Sequence, residues 1–415
     1  MTVLIAAALW AAAMVGVAAW RASRGQGDFA DFYYADAATL YEAPTEATLS
    51  GAKYYLPFLL ILFEPLTLLP IGAACAAFNM ASLAMLVLSV VCVDRWLVDR
   101  RGDTALARIA VPVAMIAAYV HACLHQGQLG LLVLCLVVTC WVLVEQRRRW
   151  TAGAVLSIAI LVKMFPAILL VFFVLKRSWR VVGGALAGLV VMGAGLSVAA
   201  YGPRKAWEYH RQYVQRVVVG HSAVAMVGGR EGRYNNQSLS TVVGRLLLPV
   251  NAGGESRPFG VHVADLSRPV GRVMGRELNG AQVVFLAIAA ALVLAAVVAT
   301  RRPAAALSWP RLRAEFSAWA LLGLALSPVL WVHYLPLAYL PLALLWAAIL
   351  RRRAAGHQAW ALWAVCGVWW LGVIGLASPW LRAVGMQLLG VLLLAGAMAL
   401  WPRESRPAPN PQDHS

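Results

Sequence analysis

Of 415 residues, 61% are hydrophobic and only 13% charged, roughly half the charged share of a soluble domain, which excludes an ordinary soluble enzyme. The net charge of +17 would suit a nucleic-acid binder, but the arginines gather at the ends of apolar segments, as the positive-inside rule produces, so nucleic acid is not expected as a partner. The six cysteines (Cys75, Cys92, Cys123, Cys135, Cys140, Cys366) lie in or beside apolar runs without CxxC or Cys/His spacing, and no metal site is indicated.

The apolar runs approach the roughly 20 residues that cross a bilayer as a helix. They are too continuous for barrel strands, and only helices or closed barrels satisfy their backbone in lipid. The fold class expected is an all-α polytopic membrane protein. Met1 to Trp20 reads as a retained first span. Residues 21–54 form a polar loop with five acids against three basic residues, including the pair Asp28 and Asp31 among aromatic neighbours. Those acids are either a solvated loop or a carboxylate tuned for general-base work. Residues 55–70 are apolar but interrupted by Pro57, Glu64, Pro65 and Pro70, which suits a juxtamembrane or re-entrant segment better than a span.

Basic clusters orient the rest: Arg95 with Arg100 and Arg101, Arg147–Arg149, Lys176 to Arg180, Arg301 with Arg302, Arg351–Arg353 and Arg403. With all of them cytoplasmic, crossings fall at about 2–20, 71–93, 105–121, 128–145, 151–162, 164–176, 181–201, 281–299, 314–331, 334–350, 358–376 and 383–401, about twelve spans in one domain over 1–401. Residues 202–280 form a large extracytoplasmic loop, and 402–415 a disordered cytoplasmic tail. The stretch 151–175 strains this scheme. Basic clusters flank it on both sides, so it turns back at Lys163-Met164-Phe165-Pro166 with halves of only about 19 Å, or one full helix crosses and a cluster lies outside.

The polar motifs then fall on the non-cytoplasmic side. His121-Ala-Cys-Leu-His125-Gln126-Gly127-Gln128 is either a tight turn at Gly127 or a source of donors to sugar and phosphate oxygens through His125 and Gln128. Lys163 is a lone cation among aliphatics. It either snorkels to headgroups or binds a lipid-linked phosphate. The outer loop carries Arg204, Lys205, Arg211, Arg216, Arg230, Arg233 and Arg245, a basic excess suited to an anionic ligand. Its Asn235-Asn236-Gln237-Ser238 run is a helix cap, a ligand contact, or both. Ser327-Pro328-Val-Leu-Trp331-Val-His333-Tyr334 is either an interfacial aromatic belt or a donor and proton carrier beside it.

The order of these motifs resembles glycosyltransferase family 87, the polyprenyl-phosphate-mannose-dependent transferases of the GT-C type. The resemblance rests on Asp28-Phe29-x-x-Phe32-Tyr33, Tyr54-Tyr55-Leu-Pro57, Gly127-Gln128, Lys163-x-x-Pro166, Asn236-Gln237-Ser238 and Ser327-Pro328-x-x-Trp331-x-His333-Tyr334. It implies a GT-C-like bundle of about a dozen helices in the cytoplasmic (inner) membrane, with an extracytoplasmic site. It also implies a polyprenyl-monophosphate sugar donor and a lipid or glycan acceptor. By position Asp28 matches the catalytic aspartate, with Asp31 its neighbouring competitor. Lys163, Gln128, His125, Arg230, Arg233, Asn236, Gln237, His333 and Tyr334 are the candidate donor-binding residues. No cofactor is implied, since cationic side chains can neutralise a monophosphate leaving group, and the chain is expected to act as a monomer. The rival readings are a transporter or a lipid/glycan flippase, and a non-catalytic scaffold. The absence of an internal motif repeat weighs against transport.

Overall fold

The computed structural model describes residues 2–30, 55–98, 105–220, 222–228, 234–253, 258–273, 276–354 and 360–401. Helices dominate them. Six described segments are long and apolar enough to cross a membrane: Ile71–Leu97, Leu106–Gln126, Trp179–Val219, Gly280–Thr300, Val332–Arg353 and Trp360–Ala377. Five shorter apolar helices accompany them, at Pro57–Leu68, Gly130–Glu145, Arg149–Val162, Phe165–Leu175 and Met386–Ala399. Leu and Val pointing outward, such as Val190 and Leu294, are exposed on these helices, the reverse of a soluble bundle and the pattern expected where lipid is the solvent. The twelve expected boundaries are therefore not matched one for one by full-length helices. The tail at 402–415 lies outside the described residues.

The strained stretch turns back at Lys163. The helix Arg149–Val162 ends where Lys163 becomes extended, with φ −149° and ψ 134°. A single 3₁₀ turn, Phe165–Ala167, follows, and then the helix Ile168–Leu175. Side-chain-free surfaces fix the direction of travel. Gly153 sits against the Val181 carbonyl and Ala185, and Gly188 against Ser157. Numbers rise together along the two helices Arg149–Val162 and Trp179–Gly188, so these run parallel and pack directly on each other, and Ile168–Leu175 carries the chain back. Arg147–Arg149 and Lys176–Arg180 thus share one end of the bundle, and Lys163 stands at the other. A glycine Cβ at Gly153 would lie 2.2 Å from the Val181 oxygen, so the close parallel packing depends on that missing atom.

At the basic end the cations cap helices as well as orient them. A helix leaves its last carbonyls without intrahelical partners, and a cation suits that negative pole. Lys176 donates to the carbonyl of Thr300 and, at 2.9 Å, to that of Arg302, closing the end of Gly280–Thr300. Arg311 donates to the carbonyls of Ala399 and Trp401 at the end of Met386–Ala399. Arg313 donates to Leu97 at 2.9 Å. The charges are neutralised in place: Glu315 pairs with both Lys176 and Arg311, Glu145 with Arg313 at 2.7 Å, and Asp94 with Arg108 at 2.9 Å. This corrects the expected crossing at 314–331, because the helix runs Trp309–Leu326 and takes its paired arginines inside the protein. A buried charge is tolerable when paired and hydrogen-bonded.

The region expected as a loop from 202 onward is largely built. The helical run from Trp179 continues to Val219, kinked at Gly202 (φ 77°) before Pro203. A helix follows at Leu239–Leu247, and then an antiparallel pair, Pro269–Val273 with Arg276–Asn279. Arg204, Lys205 and Arg211 are exposed along the resumed helix.

Candidate active site

The site opens at the end of the bundle opposite the ion pairs. The helix Gly130–Glu145 joins the two, since Glu145 meets Arg313 at its far end while Gly130 abuts the backbone of His333. Between these elements lies a cavity of about 980 Å³, lined by Asp28, Tyr55, His125, Gln128, Lys163, His333, Tyr334 and Arg382 among others.

Asp28 is set in place by its neighbour. Phe29 is 1% exposed and packs on Phe63 and Phe78, with ring centroids 6.3 and 5.4 Å away. Beneath it, Gly127 has φ +65°, and a Cβ there would approach the Phe29 Cβ to 2.6 Å. Only glycine satisfies both the left-handed backbone and the contact. With Phe29 seated on Gly127, the Asp28 carboxylate meets the next residue along, and Gln128 donates its Nε2–H to Oδ2.

Lys163 stands across the cavity at the turn of the short hairpin. Its ammonium donates to the hydroxyls of Tyr55 (3.0 Å) and Tyr334 (2.8 Å). An ammonium has three protons, so one remains for the cavity. Tyr334 stacks edge-on against His333, with centroids 4.6 Å apart. The His333 backbone oxygen accepts from the Cys123 thiol at 2.8 Å. The His333 ring is buried, and its Nε2 has no hydrogen-bond partner among the described residues. A buried imidazole nitrogen without such a partner, on a residue that lines the cavity, suits a ligand oxygen or a proton once the wall adjusts. His121 and His125 stack along one helix, 5.8 Å apart, and both reach the cavity.

Asn236 and Gln237 do not line the cavity; they clamp its wall. The Asn236 Oδ1 accepts from the backbone N–H of Ser238 (3.1 Å) and of Leu330 (2.9 Å), and its Nδ2 donates to Pro328 at 3.3 Å. Gln237 donates its backbone N–H to the Leu330 carbonyl at 2.8 Å and donates through its side chain to the Tyr234 and Arg382 carbonyls. Ser238 caps the helix Leu239–Leu247 by accepting from Thr241, so the capping reading of this run holds as well. Asp31, Arg230 and Arg233 lie outside the described residues.

The family model of Glycosyltransferase family 87 matches residues 54–328, about two thirds of the chain. The chain belongs to glycosyltransferase family 87. It is 29% identical over 168 residues to the polyprenol-phosphate-mannose-dependent alpha-(1-2)-phosphatidylinositol mannoside mannosyltransferase of Mycobacterium tuberculosis, covering 37% of this chain and 38% of that protein. It is 28% identical over 158 residues to the polyprenol-phosphate-mannose-dependent alpha-(1-2)-phosphatidylinositol pentamannoside mannosyltransferase of Mycolicibacterium smegmatis, covering 38% of this chain and 36% of that protein. The matches thus span less than two fifths of the length of these curated relatives. No solved structure matches.

The family 87 match takes in Gln128 and Lys163 but stops short of Asp28 and of His333-Tyr334, which the fold brings to the same cavity. One lining residue has no counterpart in the motif reading. Arg382 sits in the short helix Pro379–Ala383 between two apolar segments, with its guanidinium 4.5 Å over the Tyr234 ring and Nη1 donating to the Asn235 Oδ1 at 2.9 Å. Burial lowers its pKa from the usual guanidinium value, and the Tyr234 phenol opposes that shift. The signal was available: this arginine stands apart from every cluster, at the end of the bundle where positive-inside gives it no reason to be.

Proposed function

We propose that this family 87 member transfers a hexose, mannose foremost, from a polyprenyl-monophosphate donor to a lipid or glycan acceptor at the extracytoplasmic face of the cytoplasmic membrane. The relatives' names supply the donor class. The observation that carries the chemistry is one cavity holding an acid and a cation from distant parts of the chain, Asp28 and Lys163, with the His333 ring on its wall. The position of the basic clusters at the opposite end supports the extracytoplasmic side.

Asp28 accepts the proton of the acceptor hydroxyl as its oxygen bonds to the anomeric carbon. The bond from that carbon to the phosphate oxygen breaks in the same displacement, with inversion. Gln128 holds the carboxylate in place at the cavity. The leaving phosphate gains a charge, which the free proton of Lys163 meets; electrostatic stabilisation of developing charge is commonly the largest catalytic term. His333 donates to a sugar or phosphate oxygen from a dry wall. Asp31, as the neighbouring carboxylate, is the alternative base.

Purified protein in lipid nanodiscs, supplied with labelled polyprenyl-phosphate mannose and extracted membrane lipids as acceptors, tests this. Asp28→Asn lowers turnover by about a hundredfold or more, the usual scale for a general base, without loss of folding. Unchanged turnover in Asp28→Asn moves the role to Asp31. Movement of labelled lipid between leaflets with no sugar transfer, in the parent protein, replaces the enzyme reading with a flippase.

A further inference from the structure

Lys163 offers the cavity one proton, yet a sugar phosphodiester leaves as a monoester: its charge passes from about −1 toward −2 as the glycosidic bond breaks. A second cation facing the same space is Arg382. Its seat is built. Arg245, fully buried, donates through Nε to the Ala383 carbonyl at 2.8 Å and through Nη1 to that of Asn236 at 2.7 Å. The Arg382 carbonyl accepts from Gln237 at 2.7 Å, so the backbone is held from two sides. Its guanidinium lies over the Tyr234 ring and is held by Asn235. Among the described residues one of its five N–H donors is used, and the buried Nε has no partner. No described carboxylate pairs with it, whereas the buried lysine and arginines at the basic end all have one. A guanidinium seated by its backbone on a cavity wall is suited to a phosphate.

We propose that Arg382 is the second phosphate cation of the site, binding with Lys163 the lipid phosphate released when the sugar departs. This rests on the polyprenyl-phosphate donor proposed above. The bonds broken and formed are those already given; Arg382 adds no step, and holds the phosphate oxygens that take up the electron pair.

Because the product carries more charge than the donor, Arg382 discriminates between them. The test uses the full chain in nanodiscs, with undecaprenyl monophosphate as the product-like probe, undecaprenol as its uncharged control, and phosphatidylinositol as the other phosphate-bearing lipid. In the parent protein the monophosphate inhibits transfer and undecaprenol does not. Arg382→Gln weakens inhibition by the monophosphate by about tenfold or more, as expected for lost hydrogen bonds to a charged group, and lowers kcat more than it raises the donor KM. Arg382→Lys recovers part of both. Asn235→Ala, which frees the guanidinium without removing it, gives a smaller loss in the same direction, and serves where Arg382→Gln fails to fold. If the monophosphate inhibits the Arg382→Gln and Asn235→Ala variants as strongly as the parent, the assignment is wrong while the donor reading stands. A loss confined to the KM of a phosphatidylinositol acceptor also overturns it, placing Arg382 on the acceptor phosphate. If the parent protein itself does not distinguish monophosphate from alcohol and transfers no mannose, the donor reading fails first.

Discussion

Gly130 lies flat against His333: a Cβ on the glycine would come within 2.0 Å of the His333 carbonyl oxygen. The first turn of the helix Gly130–Glu145 is thereby pressed onto the segment that carries the His333 imidazole, two pieces of chain separated by some two hundred residues in sequence.

Gly130→Ala is therefore expected to be more damaging than an alanine in a helix usually is. A methyl group there meets backbone, which cannot rotate away, and overpacking of this kind costs about 1–3 kcal/mol. We expect a lowered melting temperature in detergent and a fall in transfer activity, because His333 is displaced with its backbone. An unchanged melting temperature with full activity means that the two elements are not in contact.

Lys163→Met removes the ammonium but keeps a side chain of similar length. The two hydroxyls it served, on Tyr55 and Tyr334, border the cavity and can turn to solvent, so the fold survives. Turnover is expected to drop by about a hundredfold or more, on the scale of a lost electrostatic stabiliser. Tyr334→Phe takes away one neutral partner and costs about tenfold at most. Steady-state rates on both variants check the ranking, and equal losses would mean that the Lys163 charge does not stabilise the leaving phosphate.

How far such a site can be read before folding is seen in the contrast between Lys163 and Asn236. An isolated lysine in an apolar run announces itself, because charge in that setting has to be used. The same logic, with the basic clusters, placed Asp28, Gln128, Lys163 and His333 toward one face. Asn236 is polar in a polar loop, and its partners, Pro328 and Leu330, lie some ninety residues on, so nothing local says whether its amide meets ligand or backbone. Helix limits shift where side-chain pairing overrides composition. The expected crossing begins at 314, yet Arg311 and Arg313 lie within Trp309–Leu326, where Glu315 one turn on and the distant Glu145 meet them. Gly202-Pro203 reads as a stop, and the chain resumes its helix after a kink.

Glu315 is the shared anion between Lys176 and Arg311, and its side chain is 1% exposed. Glu315→Gln leaves two buried cations with no counter-charge, and breaking a buried pair from one side costs about 3–5 kcal/mol. The expected result is a large fall in melting temperature and in yield of folded protein. The cavity is at the other end of the bundle, so the donor KM of the folded fraction stays near the parent value. A shift in donor KM with no loss of stability would contradict a purely structural role for this cluster.

Asn236→Ala separates a clamp from a ligand. The side chain satisfies two backbone N–H groups and shares one carbonyl, that of Pro328, with the Ser238 hydroxyl in a fully buried setting, and removing it strands the two N–H groups. Unsatisfied buried polar groups cost about 1–3 kcal/mol each, so the variant is expected to melt well below the parent. What it keeps is binding: undecaprenyl monophosphate still raises the melting temperature of the variant by about as much as that of the parent, because ligand stabilisation depends on affinity for the folded state. If that increment vanishes while the unliganded melting temperature hardly moves, Asn236 touches the lipid phosphate directly, and the wall from Pro328 to Leu330 is held by something else.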